Sequence, residues 1–194
     1  MSHAADRTLS FCAPAELGEV VDLVNAAYRG FDGKAGWTHE QGFVDGQRVT
    51  LELLEQDLAD APSASILLLR EAGRLLACVR VETTETPGGI RGCYIGMLAV
   101  QPALQDGGVG RRVLELAEAE GRRRGAVLAR LTVVSIRDSL IAWYERRGYR
   151  RTGETQAFPY EDRRFGTPLR DDLEFVVLEK RLPGGQAGAG AGRG

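Results

Sequence analysis

Cysteine, histidine and tryptophan are scarce in this chain: three, two and two among 194 residues. Cys12, Cys78 and Cys93 are odd in number, far apart and without a Cys-x-x-Cys spacing, which argues against a disulfide framework and against a zinc site. All three are read as reduced core residues, and no metal is expected. His3 lies in a segment expected to be loose, so His39 is the histidine left for catalysis. A serine hydrolase built on Ser135 or Ser139 with His39 would also lack the G-x-S-x-G nucleophile elbow. No apolar run approaches membrane-spanning length, and the first residues do not join a charged start to a hydrophobic stretch. No membrane association is therefore expected, and the location is expected to be cytoplasmic. A formal charge of −2 provides no field to gather nucleic acid. The local clusters Arg122-Arg123-Arg124 and Arg146, Arg147, Arg150, Arg151 are read as solvated helix ends.

What the chain does have is an ordinary balance of 43% hydrophobic and 27% charged residues, enough for one substantial core and with no second composition regime. Residues 8–182 are expected to form a single domain, with a flexible stretch at 1–7 and a disordered Gly/Ala-rich tail at 183–194. Leu9 to Pro14 reads as a strand stopped by proline, and Glu16 to Tyr28 as a helix with Leu17, Val20, Val21, Val24 and Ala27 on one face. A second helix follows at Leu51 to Asp60. Ser65 to Arg70 and Arg74 to Glu82 read as a hairpin around Ala72-Gly73. Past Pro87-Gly88-Gly89 come a strand at Tyr94 to Val100, a helix after Gly110, a strand at Ala126 to Val134, and a helix at Arg137 to Tyr149. Strands at Arg150 to Thr155 and Leu173 to Leu182 end the order, separated by a long polar segment. Clustered strands followed by strand-helix alternation imply an α/β mixed sheet with helices on both faces.

The most informative run is Tyr94 to Ala117: a buried strand, Pro102, the glycine-rich stretch Gln105-Asp106-Gly107-Gly108-Val109-Gly110, and a helix opening with Arg111-Arg112. Glycines in such a stretch let several backbone N–H groups aim at one point, and the positive end of the helix faces the same point. That point suits phosphate. A P-loop would need Lys and Ser/Thr after Gly110, where Arg111-Arg112 stand. A dinucleotide fingerprint would need a further Gly near Val113. What remains is Q-x-x-G-x-G at Gln105, Gly108 and Gly110, between a strand and a helix. This resembles the pyrophosphate-binding motif of the GCN5-related N-acetyltransferases (GNAT), which hold acetyl-coenzyme A. The helix at Arg137 to Tyr149 strengthens the resemblance: Tyr144, Glu145, two variable residues, Gly148 and aromatic Tyr149 match the family's next helix.

The resemblance implies the acyl-CoA N-acyltransferase fold, a mostly antiparallel sheet whose central strand pair splays to admit pantetheine. It implies backbone contacts to the coenzyme from Leu98, Ala99 and Val100. It also implies a pyrophosphate site on the backbone from Gln105 through Asp106, Gly107, Gly108, Val109 and Gly110 to Arg111, with some of the clustered arginines meeting the outer phosphate. Arg137 stands where the family often has Asn, and is carried as a coenzyme-binding candidate. Acetyl transfer to an amine needs a neutral amine, stabilisation of the oxyanion and a proton for the leaving thiolate. Tyr144 is the expected acid, the backbone N–H near Leu98 the oxyanion partner, and Glu82 the first choice of base, since alternation puts Cys78, Arg80 and Glu82 on one face. Glu40 and His39 are the other candidates for base.

Two aromatic-bearing loops are expected to face the acceptor, with Trp37 and Tyr160 as apolar wall and Glu40 attracting an ammonium group. The expected substrate is a small-molecule amine, acetylated by direct attack in a ternary complex. A GNAT enzyme acting on a protein or peptide amine stays open, as do a non-catalytic acyl-coenzyme A sensor and a homodimer.

Overall fold

The computed structural model describes residues 7–30, 42–85, 89–162 and 166–183. β1 (Arg7–Phe11) leads through a 3₁₀ turn at Pro14–Glu16 into α1 (Leu17–Arg29). Glu16 starts the helix by reaching back, its carboxylate accepting from the Ala13 N–H at 2.8 Å, which satisfies a donor the helix start would orphan. Leu17, Val20, Leu23, Val24 and Ala27 are buried, a single stripe at spacings of three and four. β2 (Val44–Asp45) precedes α2 (Leu51–Asp60), whose cap is Thr50, accepting from the Leu53 N–H at 3.3 Å. β3 (Ser65–Glu71) and β4 (Arg74–Glu85) form the expected hairpin. Its turn residues Ala72 and Gly73 both have positive φ, the geometry that follows strand twist. The order continues with β5 (Arg91–Val100), a 3₁₀ turn at Pro102–Gly107, α3 (Val109–Arg123), β6 (Leu128–Val134) and α4 (Asp138–Glu145), then β7 (Arg150–Ala157), β8 (Thr167–Pro168) and β9 (Glu174–Arg181).

Seven strands make one sheet in the order β1-β3-β4-β5-β6-β9-β7, while β2 and β8 form a separate ribbon. All neighbours in the main sheet are antiparallel except β5 and β6. That parallel pair needs a crossover, and α3 supplies it. α3 and α4 pack on one face against Val79, Val81, Ile95 and Leu131, and α1 and α2 on the other against Ile66, Leu68, Leu75 and Cys78. The mixed sheet with helices on both faces is thus as expected. β4 is covered from both sides, so Leu75 to Val81 is buried without alternation. Cys78 and Cys93 are buried free thiols, and Cys12, also free, is only half-buried. Burial pushes Cys78 up to about 12 and Cys93 up to about 11. Among the described residues no helix is long and apolar enough to cross a membrane.

The splay is present. β5 and β6 pair only at Gly92↔Leu128, Cys93↔Ala129 and Tyr94↔Arg130, although β5 runs on to Val100 and β6 to Val134. At the fork the hydroxyls of Tyr94 and Thr132 share a hydrogen bond of 2.8 Å.

α3 lies on β5 so closely that a Cβ at Gly121 would stand 2.4 Å from the Cys93 Sγ and 3.2 Å from its Cβ. Gly121→Ala is expected to lower stability by ~1–3 kcal/mol through overpacking. Cys93→Ala in the same chain should recover part of that loss. Thermal unfolding of the single and double variants reads both effects, and strictly additive losses would contradict the contact.

Candidate functional site

The expected open glycine loop is folded more tightly than the sequence implies. β5 ends at Val100, and the Gln101 N–H donates to the Leu76 carbonyl at 2.9 Å. Pro102–Gly107 then forms 3₁₀ turns, and Gly108, at φ 74°, turns the chain into α3. That left-handed step is one a side chain would strain. The first helical bond of α3 runs from the Arg112 N–H to the Gly108 carbonyl at 3.1 Å, so the amides before Arg112 head the helix without α-helical partners. Gly107 and Gly108 are exposed, with open space where a Cβ would stand. Val109 is buried beneath the turn. Gly110 lies against Val100 and Trp143. Gln105 Nε2 donates to the Val100 carbonyl at 3.3 Å and so braces the turn. The side chain of Asp106 lies outside the described residues. Arg111 is exposed and pairs along the helix with Glu115 at 2.8 Å.

Two arginine clusters that look alike in sequence differ in the fold. Arg123 and Arg124 hold Glu120 at 2.7 and 2.6 Å, and Arg124 also donates to the Ser63 carbonyl at 2.7 Å, joining α3 to the start of β3. Arg146 and Arg147 instead share a recess of about 460 Å³ with Arg111 and Lys180, beside the first half of α3. There the Arg147 guanidinium lies 3.5 Å from the Trp143 ring centre, and Lys180 holds the buried Glu118 at 2.7 Å.

Where β5 and β6 part there is a cavity of about 240 Å³, lined by Tyr28, Tyr94, Met97, Leu98, Arg137 and Tyr144 among others. Tyr144 is 8% exposed. Its ring meets Trp143 and Tyr149 edge to face, with centroids 4.9 and 5.6 Å apart. Burial foremost, then the neighbouring Tyr28, holds its hydroxyl proton more tightly than in an ordinary tyrosine, while Arg137 pulls the other way. Arg137 heads α4 and faces the cavity, so the structure brings together Leu98, Arg137 and Tyr144. Ala99 and Val100 are buried farther along β5.

Three expectations for the site are corrected or left untouched. Glu82 shares its face with Arg80, as alternation indicates, but the fork opens between β5 and β6, one strand away from β4. Its carboxylate is held by Arg80 at 2.7 Å, and Arg80 is tied to Asp57 of α2 at 3.0 Å. Glu82 borders the site through its cross-strand partner Tyr94 and is not in the cavity lining. The Tyr160 hydroxyl both accepts from the Leu173 N–H at 2.5 Å and donates to the Leu173 carbonyl at 3.2 Å, so this ring staples its loop and does not line the cavity. Trp37, His39 and Glu40 lie outside the described residues.

Sequence reasoning missed Tyr28, Arg48, Met97, Gln156 and Phe175, all in the cavity lining. Tyr28 falls on the apolar side of α1, where it reads as packing. Nothing local signals the β2–β8 ribbon either. It is seated by Phe43, Val44, Val134, Phe158 and Leu173, with Phe175 packed against them.

The comparisons with known proteins agree with this geometry. Residues 22–149 match the family described as acetyltransferase (GNAT). Among solved structures, a ribosomal-protein-alanine N-acetyltransferase from Brucella melitensis superposes with a TM-score of 0.65 at 17% identity, covering 90% of this chain and 99% of that one. yncA from Salmonella typhimurium, whose structure holds its cofactor acetyl-CoA, gives 0.64 at 17% identity, covering 92% and 95%. An N-acetyltransferase from Staphylococcus aureus Mu50 gives 0.66 at 13% identity, covering 92% and 99%. No curated protein matches. Because the family match spans more than half of the chain and the fold agrees with it, the chain belongs to the GNAT acetyltransferase family.

Proposed function

We propose that the protein transfers an acetyl group from acetyl-coenzyme A to the amine of a small molecule, by direct attack in a ternary complex. The observation that carries this reading is that the fork between β5 and β6 opens a cavity lined by the buried Tyr144, while β5 itself runs on into the turn that heads α3. The donor's pyrophosphate would take the amides heading α3, from Gly108 to Arg111, with Gln105 bracing the turn. Its outer phosphate would meet Arg146 or Arg147 in the basic recess, and its pantetheine arm would lie in the fork against Leu98, Ala99 and Val100, with Arg137 beside it. The Val100 carbonyl already accepts from Gln105 and the Leu98 carbonyl from Tyr28, so the backbone N–H groups are the natural contacts.

In the reaction the amine nitrogen bonds to the thioester carbon, and the carbonyl oxygen gains charge beside the N–H near Leu98. The C–S bond then breaks, the thiolate takes the Tyr144 proton, and the amine loses one proton. Glu82 is proposed to accept that proton through water, past Tyr94. The small acceptor is supported by the ribbon. Val134 and Phe175 belong both to the cavity lining and to the cluster that seats β2–β8, so the ribbon walls one side where an extended peptide would need an open groove. Ribosomal-protein-alanine N-acetyltransferases have the same fold at low identity, so fold alone leaves the acceptor open.

Tyr144→Phe removes the acid and is expected to lower kcat about a hundredfold with little change in the KM for acetyl-coenzyme A. Full turnover in that variant would refute the assignment. Glu82→Gln should cost about tenfold in kcat if the relay operates, and an unchanged rate removes it. The sign for pH follows from the raised Tyr144 value. The acid stays protonated up to and beyond the ordinary tyrosine range near pH 10, so the rate should show no basic limb from this group below that pH. Stability linked to it is complete below the same pH and falls as the pH rises above it.

Thiol release from acetyl-coenzyme A, measured across small amines and peptide N-termini, tests the acceptor. Small amines should give a kcat/KM at least about tenfold higher, a margin of roughly 1.4 kcal/mol. Release with peptides alone would overturn the small-molecule reading, and binding without release would make the protein a sensor.

A further inference from the structure

β5 contains an irregularity that the reaction does not by itself explain. Its register with β4 passes from Cys78↔Ala99 to Arg80↔Gly96, so Met97 and Leu98 together stand opposite Val79. One extra residue on one strand is a β-bulge. Met97 has φ 49°, a left-handed conformation that a long side chain seldom adopts and that persists only where the surroundings hold it. β6 provides no hold, because its pairing with β5 ends at Tyr94↔Arg130. β4 provides no in-register partner for Met97 or Leu98. Two contacts reach the bulge from the α1 layer: the Met97 side chain packs against the cluster that contains Val24 and Ala27, and the Tyr28 hydroxyl, near the end of α1, donates to the Leu98 carbonyl at 3.2 Å. Tyr28 is itself positioned, with the Arg48 guanidinium 5.5 Å from its ring centre. Tyr28, Met97 and Leu98 all line the cavity at the fork.

We propose that Tyr28 is a positioning residue: by holding the Leu98 carbonyl, its hydroxyl keeps Met97 left-handed and the Leu98 N–H aimed at the reacting carbonyl. The catalytic consequence rests on the acetyl-transfer reading above, while the clamp rests on the geometry of β5 and its contact with Tyr28. Removing the hydroxyl lets the bulge relax toward ordinary strand angles. A glycine at position 97 would adopt the same φ without strain, so the bulge would then need no clamp.

The experiment is a cycle of Tyr28→Phe, Met97→Gly and the double variant. Each is read by backbone amide exchange in the free protein and by steady-state kinetics. Tyr28→Phe should speed exchange at Met97 and Leu98 about fivefold, the scale of one lost hydrogen bond, with Cys93 and Ile95 unchanged. It should lower kcat by about the same factor, leaving the KM for acetyl-coenzyme A in place. Met97→Gly alone sets the baseline, because it also removes a side chain that packs beside α1 and lines the cavity, and adding Tyr28→Phe in that background should cost little more in either readout. A residue that merely packs α1 would cost as much in either background. Unchanged exchange in Tyr28→Phe overturns the clamp, and a Tyr28→Phe loss that is undiminished in the Met97→Gly background overturns it equally. Faster exchange with an unaltered kcat overturns the positioning role. If the wild type turns over no amine, the acetyl-transfer reading fails by itself and the exchange cycle still decides the clamp.

Discussion

The parting of β5 from β6 is the constraint on which the rest of the molecule is organised. Inside a sheet every N–H and C=O is expected to find a ladder partner, yet here the ladder stops at Tyr94↔Arg130 while both strands continue. The fork is secured by side chains instead. Tyr94 and Thr132 bond at its apex, and the Tyr94 ring lies over Gly96, where a Cβ would come within 2.9 Å of it. The free energy that tolerates such a gap comes from elsewhere, chiefly β4, sealed on both faces, and the close contact of α3 with β5.

From this constraint the position of each proposed functional group follows. α3 must cross from β5 to β6, so its N-terminus opens beside the end of the fork, where a bound anion would meet the helix dipole and amides that have no α-helical partners. α4 follows β6, so Arg137 at its start and Tyr144 two turns later look back into the cavity. Burial at that place keeps the phenol neutral, the state an acid must have before it donates. The ordering of strand, helix, strand, helix therefore brings the proposed anion site and the proposed proton donor to one cleft with no long-range coincidence required.

That dependence on chain order explains what the sequence makes legible. Gln105, Gly108, Gly110 and Tyr144 stand in short segments whose geometry is local, so the resemblance to the family's motifs can single them out as candidates, and periodicity recovers α1, α2 and the β3–β4 hairpin nearly to the residue. Glu82 shows the boundary. Alternation correctly groups it with Arg80, but which side of β5 opens is a property of strand order, and the side chain is one strand away from the fork. Tyr160 fails differently, because a loop aromatic has no periodicity to say whether it faces a ligand or, as here, bridges the backbone of Leu173. The β2–β8 ribbon is two residues wide on each side, too short to leave any pattern.

The arginines carry the same lesson into electrostatics. Arg123-Arg124 and Arg146-Arg147 are both basic pairs at helix ends, and both complement a helix dipole. The first pair meets Glu120 one turn back, and the Glu120 carboxyl is held below the usual range chiefly by Arg123, so that charge is consumed within the fold. The second pair has Trp143 one turn back from Arg147, and a guanidinium over an indole keeps its charge. Across the recess Arg111 is paired with Glu115 and Lys180 with Glu118, so the net positive charge left there is that of Arg146 and Arg147. What a basic run at a helix end is partnered by depends on the residue three or four positions earlier, a carboxylate in one helix and an aromatic ring in the other.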